Sequence, residues 1–308
     1  MKPFNKPALS FADQLTLMRS RGLSIPDAPS AEAFLARVSY YRLSAYALPF
    51  EDQRHAFRSG TSFKDLRTLY ELDGALQNAL MAALGEWEIA FRTRFTYVLG
   101  HAYGPFCHQD PKLYRHHFDL AAWLKRVDEE VGRSTETFVT HYRETYTGFP
   151  RLPLWMTTEL MSFGALSTAY AHLVPEAQKK VAKDTGVHEL VLKSWLHSAV
   201  YLRNLCAHHA RLWNRELAIR PEIPRKDPRW TALGLDNTRI FAQMAVLAYL
   251  RMAFDLPITP IARVQAALRD LHLAFPFAAK AMGVPDPLIV PWLENSDEWM
   301  QAFTKGKT

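Results

Sequence analysis

The segment RNLCAHHARLWNR, residues 203–215, gathers side chains suited to chemistry on an anion. On a helix, Asn204 and His208 are four residues apart and share a face, and Arg203, offset by one position, reaches that face with its long side chain. A guanidinium presents a planar fork that matches phosphate, and an imidazole gains or loses a proton near neutral pH. Together they are the parts needed to cleave a phosphodiester without a metal. The same residues are compatible with a structural network, in which a core histidine bonds a carbonyl and Arg203 sits in an ion pair. As metal ligands they are poor, because His208 and His209 point about 100° apart on a helix and Cys206 completes no common zinc pattern. No metal and no cofactor are therefore expected.

The surroundings favour a polyanion. Between Arg203 and Trp230 there are seven Lys or Arg residues (203, 211, 215, 220, 225, 226, 229) against three acids (216, 222, 227), a local excess of four out of a whole-chain net charge of +6. His209, Arg211, Arg215, Arg225 and Lys226 are the expected contacts to the phosphates of such a polyanion, which give affinity without sequence choice. Trp213 and Trp230 lie among these cations and either stack on bases or anchor the core. In SYYRLSAY, Arg42 is a further candidate for a phosphate with a tyrosine stacking beside it, and the alternative is that the tyrosines are core residues with satisfied hydroxyls. Glu88 and Arg92 form either an exposed i,i+4 pair or a support for Arg203 and His208 from a neighbouring helix. His116 and His117 have no matching carboxylate or cysteine spacing and read as a surface loop. No Walker-type glycine loop, GxSxG elbow or HExxH is present.

Helices must position these groups, because helical punctuation recurs from end to end. Ser10 and Asp13 make a capping-box-like start for a helix running toward Gly22, and Pro29 with Ser30 opens a second that continues through AEAFLARVSYYRLSAYAL to Pro49. From Ser62 and Asp65 a long amphipathic stretch carries Leu66, Leu69, Leu72, Leu76, Leu80 and Leu84 at three-to-four spacing, with a possible interruption at Gly74. Further helices fit residues 120–131, 135–146, 158–172, 175–183, 188–209, 236–254 and 260–273. Proline-rich loops near 149–153 and 221–228 bring no shift in composition, so one α-helical domain over 1–308 is expected. Its 48% hydrophobic and 22% charged residues suit a globular chain. Only Cys107 and Cys206 occur, which suits a reducing cytoplasm. The amino terminus lacks a signal-peptide pattern, and the most apolar segment, IFAQMAVLAYL, is too short to span a membrane and reads as a core helix.

RNLCAHHARLWNR resembles the signature of the Abi-like bacteriophage-resistance (abortive infection) family, and its Arg203-x4-His208 core matches the R-x4-6-H motif of HEPN ribonucleases. KPALSFADQLTLMRSRGL, VSYYRLSAYALPF, TSFKDLRTLYELD, EWEIAFRTRF, ETFVTHYRETY and LPLWMTTELMSFGALSTAY stand in the family's order, extending the resemblance to about residue 250. The resemblance implies an all-α fold with a HEPN-like core over about 62–255, N-terminal helices over 1–61 and a helical extension over 256–308. It also implies endoribonuclease activity in anti-phage defence, with Arg203, Asn204 and His208 as the active motif. One motif per chain implies a homodimer. The alternative is a non-catalytic RNA-binding or antitoxin-like protein that uses the same basic face.

Overall fold

The computed structural model describes residues 3, 5 and 7–286, so the part of the expected C-terminal extension beyond 286 lies outside the described residues. The chain is all-α. It begins with α1 (Phe11–Ser20), whose N-cap Ser10 accepts from the Asp13 N–H and whose end is turned by Gly22 in the left-handed region. The expected second helix is broken: α2 (Ala28–Val38) stops at Ser39, which takes φ 67°, and α3 (Tyr40–Ser44) restarts with the Ser39 hydroxyl accepting from the Arg42 N–H. A short hairpin, β1 (Glu51–Gln53) with β2 (Ala56–Phe57), follows. It escapes sequence reading because strands this short have room for no alternation.

Helix α4 (Phe63–Tyr103) is the axis of the molecule. Ser62 and Asp65 start it, the Asp65 carboxylate accepting from the Ser62 N–H at 2.8 Å. It passes through Gly74 without interruption, and its 41 residues span about 60 Å. Its buried stripe runs Leu66, Leu69, Asp73, Leu76, Leu80, Leu84, Trp87, Phe91, Phe95 and Leu99, so the buried position is Asp73 rather than the expected Leu72, which is only half-buried.

The chain then lays helices around this axis: α5 (Leu120–Arg133), α6 (Thr137–Thr145), α7 (Leu154–Leu160), α8 (Phe163–His172), α9 (Pro175–Ala182) and α10 (Glu189–Ala207). The expected single helix over 158–172 is two, because Met161 turns to extended backbone and Ser162 caps a new start by accepting from the Ala165 N–H. After the short α11 (Pro228–Thr231), α12 (Ile240–Ala253) is buried on every side from Ile240 to Arg251, as its unpatterned apolar sequence requires. Buried Arg251 donates through its two terminal nitrogens to the Ala83 and Pro257 carbonyls and the Glu86 carboxylate. Helix α13 (Thr259–Ala274) lies along α4, and α14 (Ala278–Ala281) closes the described residues. No helix among the described residues is long and apolar enough to cross a membrane.

One buried group makes the fold sensitive to acid. His108, just after α4, is 2% exposed, and burial, helped by Arg151, holds its pKa down to about 4 from 6.5. The unfolded chain therefore takes up this proton at a higher pH than the folded one. The resulting stability is complete above about 6.5 and is lost as pH falls toward 4, by about 2–3 kcal/mol at pH ~4.5. Urea midpoints at neutral pH and near pH 4.5 should show a smaller drop for His108→Gln than for the wild type. Equal drops would remove His108 as the cause.

Candidate functional site

Helix α10 carries the motif to its carboxyl end. The helix stops where His208 leaves helical geometry (φ −92°, ψ 10°) and His209 turns left-handed (φ 51°). The His209 N–H donates to the Cys206 carbonyl at 3.0 Å and the Ala210 N–H to the Leu205 carbonyl at 2.9 Å, the double closure of a Schellman motif. Glycine usually fills this left-handed position. A histidine there costs about 1 kcal/mol, so the surrounding contacts must hold it.

Three ties do so. Arg42 donates to the His209 carbonyl at 2.5 Å, and Arg211 donates to the Ala45 carbonyl at 3.3 Å. The third tie is Asp73. Fully buried on α4, it accepts from the Leu212 N–H at 3.1 Å, the Trp213 N–H at 2.7 Å, the Tyr46 hydroxyl at 2.7 Å and the Gln77 amide at 3.0 Å. Burial pushes the Asp73 carboxyl pKa up, and the four donors work against that by favouring the charged form. The sequence reading missed Asp73, although a lone acid on the apolar stripe of α4 is a visible signal. The break at Ser39 lets α3 reach the end of α10, since it separates α3 from the line of α2.

Arg203, Asn204 and His208 are brought together at this helix end. Arg203 is half-buried and its guanidinium lies 3.4 Å from the Asn204 side-chain oxygen, while Asn204 and His208 are exposed. Among the described residues, Arg203 has no carboxylate within salt-bridge distance and the His208 imidazole makes no hydrogen bond. The structural-network alternative needs an ion-paired Arg203 and a carbonyl-bonded core His208, and neither is found. Cys206 points the other way into the core, and burial pushes its thiol up to about 12.

The remaining candidates divide. Arg42 stands beside the motif but is engaged with the His209 backbone. Arg211 is half-buried, its pKa lowered by burial and by Arg215, and Arg215 donates to the Arg211 carbonyl, so both brace the segment. Of the other cations in this region, Arg220 pairs with Glu216 and Arg229 with Asp227. Arg225 and Lys226 are exposed, in a loop fixed near the opposite end of α10 by Glu222, whose N–H donates to the Ser194 hydroxyl and whose carbonyl accepts from the Trp195 indole. Trp213 and Trp230 are 1% and 0% exposed, which removes base stacking by either. Of the tyrosines, Tyr46 is buried on Asp73, Tyr40 accepts from Arg21, and Tyr41 is 89% exposed. Glu88 and Arg92 pair at 2.8 Å in a nearly buried site where Arg92 also donates to the Met161 carbonyl, so they close the end of α7 and do not touch the motif. His116 and His117 are exposed as expected, with His117 5.8 Å, ring to ring, from His172. Among the described residues no group of three or more His, Cys, Asp or Glu is placed to hold a metal ion.

These features define an all-α protein with a cationic, histidine-bearing site at the end of one helix. The chain belongs to the Abi-like protein family, whose model matches residues 33–214. That membership ties it to abortive infection. The match begins within α2 and ends at Asn214, so it takes in the tyrosine segment, α4 and the whole motif. Residues 6–23 and those beyond 214, to which the resemblance read from the sequence extends, fall outside the match. No curated protein and no solved structure matches the chain.

Proposed function

We propose that the protein is a HEPN-type endoribonuclease that acts in abortive infection and works as a homodimer. The observation that carries this reading is a helix end, held in place by Asp73 and Arg42, where Arg203 has no carboxylate partner and the His208 imidazole has no hydrogen bond among the described residues. A ribose 2′-OH attacks the adjacent phosphorus, and the bond to the 5′-oxygen breaks. His208 moves the proton, Arg203 stabilises the charge growing on the phosphoryl oxygens, and Asn204 orients the histidine or the phosphate. Attack takes one proton from the 2′-OH while departure returns one to the 5′-oxygen, and a single imidazole serves one role at a time. Two subunits, each bringing one His208, supply both.

The test is the purified full chain incubated with total RNA in EDTA. The expected result is cleavage that leaves 2′,3′-cyclic phosphate and 5′-hydroxyl ends. RNA that is bound and stays intact would overturn the catalytic reading and leave a binding platform.

A further inference from the structure

The motif lies at one end of a longer exposed track. Counting about 100° per residue around α10, Lys193, His197, Asn204 and His208 fall within a sector of roughly 60°. All four are exposed, and residues 190–215 contain no acid. Lys193 and His208 are fifteen positions apart, about 22 Å along the axis. At the Lys193 end the track opens into a groove of about 550 Å³ between α8 and α10, lined by Lys193, His197, Ser194, Thr168, His172 and Glu222 among others. The His172 ring is held in place: its Nδ1 lies 2.9 Å from the Thr168 carbonyl and its face stacks on Phe118 at 4.4 Å. With Nδ1 donating to that carbonyl, the ring forms a fixed wall of the groove. Glu222, the groove's one carboxylate, is where the loop bearing Arg225 and Lys226 is pinned to α10.

We infer that this groove is a second phosphate-binding site, which takes the backbone of a single RNA strand a few nucleotides from the phosphate at His208, the strand lying along the exposed face of α10. Lys193 and His197 meet the phosphates, His172 walls the groove, and Arg225 and Lys226 add charge from the adjoining loop. This explains why those two cations stand far from the motif they were expected to serve. The inference rests on the RNA reading above.

The test uses the full chain and two labelled, non-cleavable 2′-O-methyl RNAs, one of about four nucleotides and one of about twelve, with affinity read by fluorescence anisotropy. Lys193→Ala/His197→Ala changes two exposed helical positions to the best helix former and leaves the fold intact. The longer RNA should bind this variant about tenfold more weakly, with a shallower salt dependence by about one unit of slope for the lost lysine contact. Affinity for the shorter RNA should be unchanged, and Glu222→Gln should tighten binding of the longer one. Equal affinity of wild type and double variant for the longer RNA would overturn the groove and leave the motif reading intact. A wild type that binds neither RNA would overturn both.

Discussion

Replacing His208 with alanine is expected to lower RNA cleavage by about a hundredfold or more and to relieve growth arrest when the protein is expressed in bacteria. Its stability should stay within about 0.5 kcal/mol of wild type. The imidazole is exposed and makes no hydrogen bond among the described residues, so removing it breaks no structural contact. Arg203→Ala should match it in activity. Arg203→Lys, which keeps the charge but loses the planar fork, should recover only part of the rate. If the site is shared between subunits, a His208→Ala chain mixed with wild type should inactivate its wild-type partner. Mixed dimers that keep half the rate would mean that each chain carries a complete site. A folded His208→Ala protein that cleaves RNA and arrests growth like wild type would end the proposal that this motif is the source of either.

Much of this was legible in local pattern. Asn204 and His208 share a face at helical spacing, and Ser62 with Asp65 marks the start of α4. The continuous apolar run of α12 identifies a buried helix, because each of these signals acts within a few residues. What escaped depends on partners far away in sequence. The burial of Trp213 follows from Asp73 capturing its N–H across 140 positions, and nothing near Trp213 indicates that. Arg42 looks like a free cation until its bond to the His209 carbonyl is seen, 167 residues on. The left-handed Ser39 and His209 replace the glycines that usually announce such turns, so the break between α2 and α3 and the closure of α10 had no clear marker. The charge excess near the motif is legible in the sequence as a number, and its distribution in space is not. Arg211 and Arg215 brace the backbone, while Arg225 and Lys226 are carried by their loop toward the Ser194 end of the helix.

Asp73 supports the largest effect expected on stability. Among the described residues, its carboxylate is the shared acceptor of four buried donors, contributed by Tyr46, by α4 itself and by the segment after the motif. Burial raises its pKa, so the charged form is by itself a cost at neutral pH, and the donors offset that cost. Asp73→Ala removes the acceptor and leaves the donors buried, which should cost about 3–5 kcal/mol. Asp73→Asn separates charge from shape. If the carboxyl is ionised, the amide loses one acceptor oxygen and sets its NH2 against donors, so the loss should fall between alanine and wild type. If burial has protonated it, asparagine should be nearly neutral. Urea unfolding ranks the variants, and hydrogen exchange at the Leu212 and Trp213 amides reports the clamp directly. Both amides should lose protection in Asp73→Ala beyond the change in global stability, and RNA cleavage should fall with them, because the segment that fixes the end of α10 comes loose. An alanine variant as stable as wild type, with both amides still protected, would show that the donors find other acceptors and that Asp73 does not position the motif.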